Sequence, residues 1–364
     1  MRHMPVKRIE AMGKVYFVKA AKSDGKSEII KKIEGLLEAS DCFDFIKKGD
    51  IVAVKVTFGE KGNEYYVGPE YVKVVLNKIK KLGGKPFLTD ANVLYKGERT
   101  NAVDHLNLAR EHGFLRCDVP VIIADGLFSK NYKKIAIDKK HFKTVNIARD
   151  VVDSDCIVSI SHFKGHMQTG FGAALKNIGM GLASRSGKQM QHSHVKPEVR
   201  ENKCVLCKQC FDICPVSAIS EKNGKAFIDK ERCIGCAECV ATCKFFAIAI
   251  TWEESAEILQ EKMVEHAFGA LKNKKDKAVF MNFALEISKE CDCWNLENPI
   301  IAKDVGIFLS NDPVAVDKAA ADKVVKQEVN DVFKKAHPDT NWHRQLEYGA
   351  SLGLGKLDYK LVEV

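Results

Sequence analysis

The chain has 364 residues, of which 46% are hydrophobic and 29% are charged, as in globular proteins with room for two or three domains. Its 57 basic and 48 acidic residues give a formal net charge of +9, but the lysines are dispersed, which argues against nucleic acid as a partner. The sequence contains no apolar run of the roughly 18 residues that cross a bilayer, and the basic N-terminal stretch lacks the apolar core of a signal peptide. We therefore expect a cytoplasmic protein that does not bind a membrane.

Strand and helix patterns alternate along the first part of the chain. β-branched and aromatic residues predict strands at KVYFVKA and DIVAVKVTF, and apolar residues at helical spacing predict a helix between them at SEIIKKIEGLLEAS. A second helix, EYVKVVLNKIKKLGG, ends at a glycine pair, and further strands are predicted at KPFLTDAN, VPVIIADG and DCIVSISH. This repetition predicts an α/β fold in which a mostly parallel sheet has helices on both faces.

A cysteine-rich segment of different character interrupts this pattern. After it the α/β pattern resumes, with a helix at AEILQEKMVEHAFGALKN and strands at KAVFMNFALEI and VGIFLS. We therefore predict a discontinuous α/β domain, residues 1–198 and 253–364, and a small inserted α+β domain, residues 199–252.

The inserted segment carries two cysteine runs with the same spacing, C-x₂-C-x₂-C-x₃-C. The runs are Cys204, Cys207, Cys210 and Cys214, followed by Cys233, Cys236, Cys239 and Cys243. Three thiolates at this spacing surround one corner of a four-iron cluster, and the fourth ligand comes from the other run. Structural zinc sites usually pair two C-x₂-C halves and do not need such runs. The spacing predicts two 4Fe-4S clusters, one held by Cys204, Cys207, Cys210 and Cys243, the other by Cys233, Cys236, Cys239 and Cys214.

The charge of this segment bears on its electron donor. Eight basic and six acidic residues lie between Arg200 and Lys244. Because freely diffusing ferredoxins are acidic, we expect this segment to serve its own host domain or to accept electrons from an acidic ferredoxin or flavodoxin.

Polar residues concentrate in the loop ISHFKGHMQTGFGAALKNIGMG, at the end of a predicted strand, where α/β sheets build ligand sites. The stretch is not a phosphate loop, because Phe171 and Gly172 occupy the places of Lys and Ser/Thr. The loop glycines can instead present backbone N–H groups to an anion at a helix N-terminus. The predicted catalytic residues here are His162, Lys164, His166, Lys176 and His192, and the predicted ligand contacts are Lys55, Gly170, Gly172 and Asn177. Lys55 and Asp90 each end a predicted strand, so both are expected at the same crevice.

Cys291 and Cys293 alternate after a predicted strand, so both thiols are expected to reach one pocket. They are either two small buried hydrophobic residues or functional thiols, acting as a nucleophile, a proton donor or ligands of a third metal. The other cysteines outside the runs, Cys42, Cys117 and Cys156, are predicted to lie in the core.

Three stretches resemble the family known as Domain of Unknown Function 362, in the form that carries an inserted two-cluster ferredoxin. They are SHFKGHMQTGFGAALKNIGMGLASRSGK with the following MQHSH, ECDCW at 290–294, and VGIFLSNDPVAVDKAAADKV at 305–324. The inserted segment itself resembles bacterial two-cluster ferredoxins, with Lys244 in the place of a proline. The resemblance implies an iron–sulfur protein of anaerobic metabolism but no particular reaction.

These features predict an iron–sulfur oxidoreductase that passes electrons through two 4Fe-4S clusters to a small, anionic substrate or cofactor in the α/β crevice. Lysines would hold the negative charge and histidines would transfer protons. Two alternatives stay open: an electron carrier or subunit without catalysis, and a cofactor- or metal-assembly protein in which Cys291, Cys293 and the histidines bind an additional ion.

Overall fold

A computed structural model describes residues 12–95, 97–192, 196–233, 238–249, 255–274, 276–292 and 298–364. The strands are β1 Gly13–Lys19, β2 Ile51–Lys55, β3 Lys85–Asp90, β4 Val121–Ile123, β5 Tyr132–Ala136, β6 Thr144–Ala148, β7 Cys156–His162, β8 Lys164–His166, β9 Gly170–Gly172, β10 Glu198–Val199, β11 Ile219–Lys222, β12 Lys225–Ile228, β13 Ile248–Ala249, β14 Ala278–Ala284, β15 Gly306–Ser310 and β16 Tyr359–Glu363. The α-helices are α1 Lys26–Ala39, α2 Pro69–Lys81, α3 Ala102–Glu111, α4 Arg149–Asp153, α5 Ala174–Gly179, α6 Arg185–His192, α7 Gln209–Ile213, α8 Glu238–Thr242, α9 Ala256–Leu271, α10 Pro313–Glu328, α11 Val332–Ala336 and α12 His343–Ser351.

Eight strands form the central sheet, in the order β16-β1-β15-β14-β7-β2-β3-β4. Five of its seven neighbouring pairs are parallel, and β15 is the strand that runs against its neighbours. The central strand β7 is buried along its whole length. A strand covered on both faces needs a continuous run of residues that tolerate burial, and CIVSISH supplies one. The predicted α/β fold with a mostly parallel sheet is confirmed.

Two hydrophobic cores lie on opposite faces of this sheet. Ile157 of β7 packs in a core with residues of α5, α9 and α10, whereas its neighbours Cys156 and Val158 pack in a core with α1 and α2. This division follows from the alternation of side chains along a strand. Cys42 and Cys117 also lie in the second core, as predicted, and burial raises the pKa of Cys42 to about 12, so these thiols are unreactive.

The cysteine-rich segment forms a small core of its own. Its ends come together because β10 pairs with β13, and β11 and β12 form a hairpin between them. The turns that follow the two cysteine runs are alike: Ser217 and Phe246, each three residues after the last cysteine of its run, have a left-handed backbone with φ of 48° and 50°. The proposed limits 199–252 stay a prediction. Among the helices of the described residues, none combines the length and the apolar character needed to span a bilayer.

A close approach between α5 and α9 gives a test of this packing. A Cβ atom added at Gly179 would lie 2.2 Å from the carbonyl oxygen of Met263, whereas one added at Gly35, inside α1, has no neighbour within 4 Å. We expect Gly179→Ala to lower the free energy of unfolding by about 1–3 kcal/mol, because the two helices must move apart. Gly35→Ala should raise it by about 0.5–1 kcal/mol through helix propensity. Urea unfolding followed by circular dichroism measures both, and equal effects would contradict the packing.

Candidate functional site

Lys55 and Asp90 meet at the carboxyl edge of the sheet, where the parallel strands β2 and β3 end. The Lys55 side chain is 1% exposed, and its Nζ lies 3.1 Å from Asp90 Oδ1. The same ammonium donates to Asn177 Oδ1 at 2.7 Å and to the carbonyl of Val56 at 2.8 Å. Burial lowers the pKa of Lys55, and the charge of Asp90 partly opposes that shift. The two residues share one crevice, as their positions at strand ends predicted.

Arg99 and His105 also lie beside Asp90. Its Oδ2 lies 3.5 Å from Arg99 Nη1 and 3.6 Å from His105 Nε2. Arg99 also reaches Glu60, with 3.3 Å between Nε and Oε2. Burial alone would raise the pKa of Asp90, but Lys55, His105 and Arg99 hold it well below the ordinary value of an aspartate. The carboxylate is therefore ionised at any pH at which the protein is folded.

A cavity of about 90 Å³ opens beside this ion pair. Its polar lining in the described residues is Lys55, Arg99, Lys164, Lys176, Lys188, Asp90, Thr57, Tyr95, Asn177 and His192, and Cys291 also borders it. Five cationic side chains thus face one carboxylate. A small cavity with this excess of positive charge favours an anionic ligand.

His162 and Lys164 share a second buried carboxylate, Asp292. The His162 ring places Nδ1 2.6 Å from Asp292 Oδ1 and Nε2 2.9 Å from the carbonyl of Leu285, so both ring nitrogens face acceptors. Lys164 Nζ lies 3.4 Å from Asp292 Oδ2. Burial would raise the pKa of Asp292, but His162 and Lys164 lower it to about 2.

The structure separates His162 from the other predicted catalytic residues. His162 borders a different, wider crevice of about 550 Å³, together with residues such as Tyr66, His112 and Glu286. Lys164 borders the 90 Å³ cavity. With its nitrogens facing Asp292 and the carbonyl of Leu285, the ring of His162 is a positioning group for Asp292.

Cys291 lies beside Lys176, with 3.4 Å between Sγ and Nζ. The side chain is 4% exposed and borders the 90 Å³ cavity. An adjacent ammonium group stabilises the thiolate form of a cysteine. Cys291 follows β14, which ends at Ala284, and the chain around Cys291 is irregular. Cys293 lies outside the described residues.

Burial disfavours charge on the two other histidines of the predicted set. His166 Nδ1 accepts hydrogen bonds from the backbone N–H groups of Gln168 and Thr169, at 3.1 and 3.2 Å. Burial, aided by Lys176, holds the pKa of His166 well below the ordinary value. His192 borders the cavity, and burial and Lys176 lower its pKa to about 3. Both rings are therefore neutral at pH 7, and neither supplies a proton readily.

The anion position expected at the glycine loop is already filled by a side chain. The first N–H groups of α5, those of Ala174 and Leu175, donate to the carboxylate of Asp317 at 2.9 Å each. Gly170 has a φ of 72°, and a Cβ there would lie 2.3 Å from Trp342 Cβ; at Gly172 it would lie 2.8 Å from Lys176 Cδ. Close packing explains both glycines. The anion-binding helix N-terminus was a wrong expectation, and ligand contacts by the two glycines stay a prediction.

Several residues of the site were missed from the sequence. Arg99 lies in an irregular loop that carries no motif. Lys188 borders the cavity, and burial lowers its pKa to about 8. The available signal was on α6, where the buried residues Arg185, Lys188 and His192 are spaced three and four apart and so share one helix face.

The cysteine segment brings thiols of both runs to one place. Cys204, Cys207, Cys210 and Cys243 all border a cavity of about 20 Å³. Burial, and then the charges of Cys243, Cys207 and Cys204, raise the pKa of Cys210 to about 11. These four are the residues predicted to hold one cluster.

The second predicted quartet is described in part. Cys214, Cys233 and Cys239 pack in the same small core, and Cys236 lies outside the described residues. Over the described ranges, no three His, Cys, Asp or Glu side chains converge as on a single metal ion. Thiolates on one zinc ion, at about 2.3 Å from it, lie within about 4.6 Å of each other, whereas a four-iron cluster is larger and holds its ligands further apart.

Backbone N–H groups point at three of the sulfurs. Ala218 donates to Cys214 Sγ at 3.2 Å and Ala247 to Cys243 Sγ at 3.3 Å, each four residues after its acceptor. Ala226 donates to Cys204 Sγ at 3.4 Å. Hydrogen bonds to sulfur stabilise thiolates and tune the potential of iron–sulfur clusters.

Two contacts join the cysteine segment to the cavity. Leu94 borders the 90 Å³ cavity and also packs in the core of the cysteine segment. Arg185, at the start of α6, lies over the ring of Phe246 in the cysteine segment, 5.9 Å from the ring centroid. Lys188 and His192 on the same helix border the cavity. The separation along α6 from Arg185 to Lys188 is about 4.5 Å.

Comparison with known proteins gives a family match. The family model described as "Domain of unknown function (DUF362)" matches residues 52–322, which include the cavity and the cysteine segment. Thylakoid-associated protein sll1697 of Synechocystis sp. is 25% identical over 142 residues, which cover 37% of this chain and 40% of that protein. The chain thus matches less than half of that relative's length.

Solved structures with lower similarity span more of the chain. The lactate racemase apoprotein from Thermoanaerobacterium thermosaccharolyticum has a TM-score of 0.46 and 12% identity, covering 100% of this chain and 85% of that one. A protein from Thermotoga maritima has a TM-score of 0.38 and 14% identity, covering 90% of this chain and 59% of that one.

The buried ion pair of the site makes a stability prediction. Lys55→Met keeps the length of the side chain but removes one of the cations that neutralise Asp90, so we expect the free energy of unfolding to fall by about 3 kcal/mol. Lys31→Met is the matched control, because the Lys31 side chain is 73% exposed and lies 3.9 Å from Glu28. An exposed pair of this kind contributes little, so the urea midpoint of the control should stay close to that of the parent protein. Equal midpoints for both variants would contradict the importance of the buried pair.

Proposed function

The chain belongs to the DUF362 family, and we propose that in this member an inserted ferredoxin-like module with two 4Fe-4S clusters delivers electrons to a small anion bound in the 90 Å³ cavity. The observation that carries the proposal is the cavity bordered by Cys204, Cys207, Cys210 and Cys243. The first three belong to one run and the last to the other, as the interleaved two-cluster arrangement requires. Separate zinc sites, one for each run, would not bring Cys243 to the first three.

The proposed path from cluster to cavity runs along α6. Arg185 lies over the ring of Phe246, three residues after Cys243, and the next turn of α6 brings Lys188 to the cavity. Leu94 packs in the cysteine core and borders the same cavity. An electron leaving the first cluster would therefore cross packed protein.

The cavity binds and orients the substrate through charge. Lys164, Lys176 and Lys188 present ammonium groups to it, and Asn177 is fixed beside them by Lys55. The volume of about 90 Å³ restricts the ligand to a small molecule, such as a short carboxylate. A carboxylate in this cavity is desolvated, so each ammonium group holds it more strongly than in water.

Reduction at carbon requires one proton for every electron that the clusters supply, hence two electrons and two protons for a two-electron step. The ordinary histidine donors are unsuitable here, because burial keeps His166 and His192 neutral. Lys188, with a pKa of about 8, is protonated at pH 7 and can transfer its proton near neutrality. The ammonium group of Lys176, which donates a hydrogen bond to Cys291 Sγ and borders the cavity, is the second donor.

Metal content tests the proposal directly. Anaerobically purified protein should contain about eight irons and eight sulfides per chain and give the electron paramagnetic resonance signal of reduced four-iron clusters after dithionite. Cys207→Ala should lose about half of the iron, because it removes a ligand of the first cluster. Cys117→Ala, a buried cysteine of the α/β core, is the matched control and should keep all of it. One or two zinc ions in place of the iron would refute the proposal.

The charge state of Lys188 makes a prediction about pH. Oxalate, which stays a dianion above pH 5, should bind the holoprotein several-fold more weakly at pH 9 than at pH 7, because the ammonium loses its proton through a pKa of about 8. Lys188→Met should bind weakly at both pH values, and the exposed control Lys31→Met should keep the dependence. Isothermal titration calorimetry gives the affinities. The same pH dependence in the Lys188→Met protein would contradict the assignment.

A further inference from the structure

One ligand of the first predicted cluster reaches the surface. Cys207 is exposed, whereas Cys204 and Cys210 are each 9% exposed. Val205, 59% exposed, and Phe245, 46% exposed, border the same small cavity as these sulfurs. A single exposed hydrophobic side chain is ordinary, but here two of them border the same small cavity as the exposed thiol of Cys207. We call Val205, Cys207, Lys208 and Phe245 the donor patch.

Exposed basic residues adjoin the donor patch in the chain. Arg200, Lys203 and Lys208 are all exposed, and Glu201 is the acidic residue between them in the chain. Lys208 Nζ lies 3.3 Å from Glu221, but both side chains are about half exposed, so water screens this pair and Lys208 can exchange it for another carboxylate. Because Arg200 and Lys203 are close to the patch in sequence and Lys208 belongs to it, we call these three cations the basic rim.

We propose that the donor patch is the docking surface of an acidic one-electron carrier protein, such as a ferredoxin; this rests on the proposed function above. Apolar contact at Val205 and Phe245 brings the carrier's redox centre to Cys207, and the basic rim attracts its carboxylates. The exchange moves one electron from the reduced carrier to the oxidised cluster, with no bond made or broken. Small contact areas suit such short-lived redox complexes.

The exposed and the host-facing parts of the cysteine segment support an entry site. Cys207 and Cys243 are predicted ligands of the same cluster; Cys207 faces solvent, whereas Phe246, three residues after Cys243, lies under Arg185 of the host domain. Electrons would thus enter beside the exposed sulfur and leave toward the host domain.

The test measures reduction of the holoprotein by a reduced acidic 2Fe-2S ferredoxin in anaerobic stopped-flow experiments. Lys203→Glu with Lys208→Glu should lower the second-order rate constant at least tenfold at low salt, and the difference should shrink at high salt. Lys31→Glu with Lys81→Glu, on α1 and α2, makes the same change of net charge away from the patch and should have little effect. Glu201→Lys should accelerate the reaction, which a folding defect would not do.

Dithionite distinguishes the two proposals. If dithionite reduces the clusters of the Lys203→Glu/Lys208→Glu protein normally while ferredoxin is slowed, docking is supported. Equal ferredoxin rates in parent and variant, equal slowing by the control, or a patch buried in a dimer of this chain would overturn the docking surface and leave the clusters in place. If the parent protein holds no iron, the proposed function fails and the docking surface with it.

Discussion

Pairing of buried charges at the carboxyl edge of the sheet is the constraint on which the site depends. Burying an ion costs several kcal/mol unless an opposite charge and hydrogen bonds compensate it. Two buried carboxylates have such partners here. Asp90 lies beside Lys55, Arg99 and His105, and Asp292 lies beside His162 and Lys164. Each carboxylate fixes side chains from several separate segments, so the geometry of the cavity follows from these pairs. The cationic character of the cavity then comes from lysines that lie around these two buried carboxylates.

Burial and these ion pairs also determine which side chains can transfer protons. His162 is held between a carboxylate and a carbonyl, so its ring acts as a positioning group for Asp292. His166 and His192 are buried among lysines, which keeps them neutral. Lys188 differs because Asp125 and Asp90 partly offset the effect of burial, and its pKa falls only to about 8. Burial thus gives a lysine the titration range usually associated with histidine.

Features that depend on local spacing were predictable from the sequence, and features that depend on distant partners were not. The strands, the helices and the convergence of Cys204, Cys207, Cys210 and Cys243 on one small cavity follow from periods of a few residues. The Lys55–Asp90 pair followed from the rule that parallel strands end at one edge. The filling of the α5 N-terminus by Asp317 and the engagement of His162 by Asp292 join residues more than 100 positions apart. No local pattern carries that information, so histidine roles inferred from alternation alone were the weakest part of the sequence interpretation.

The point at which the cysteine segment leaves the α/β domain accounts for its closeness to the cavity. The segment begins directly after α6, the helix whose buried face carries Arg185, Lys188 and His192. Pairing of Val199 with Ile248 brings the two ends of the segment together. The α/β domain therefore accommodates it like a long loop, whose closure entropy grows only slowly with length. A hydrogen bond from Tyr132 of β5 to Glu238 of α8 attaches the segment to the α/β domain at a further point. Chain connectivity through α6 therefore places the cysteine segment beside the cationic cavity, and the face of that helix that carries Arg185, Lys188 and His192 lies at their boundary.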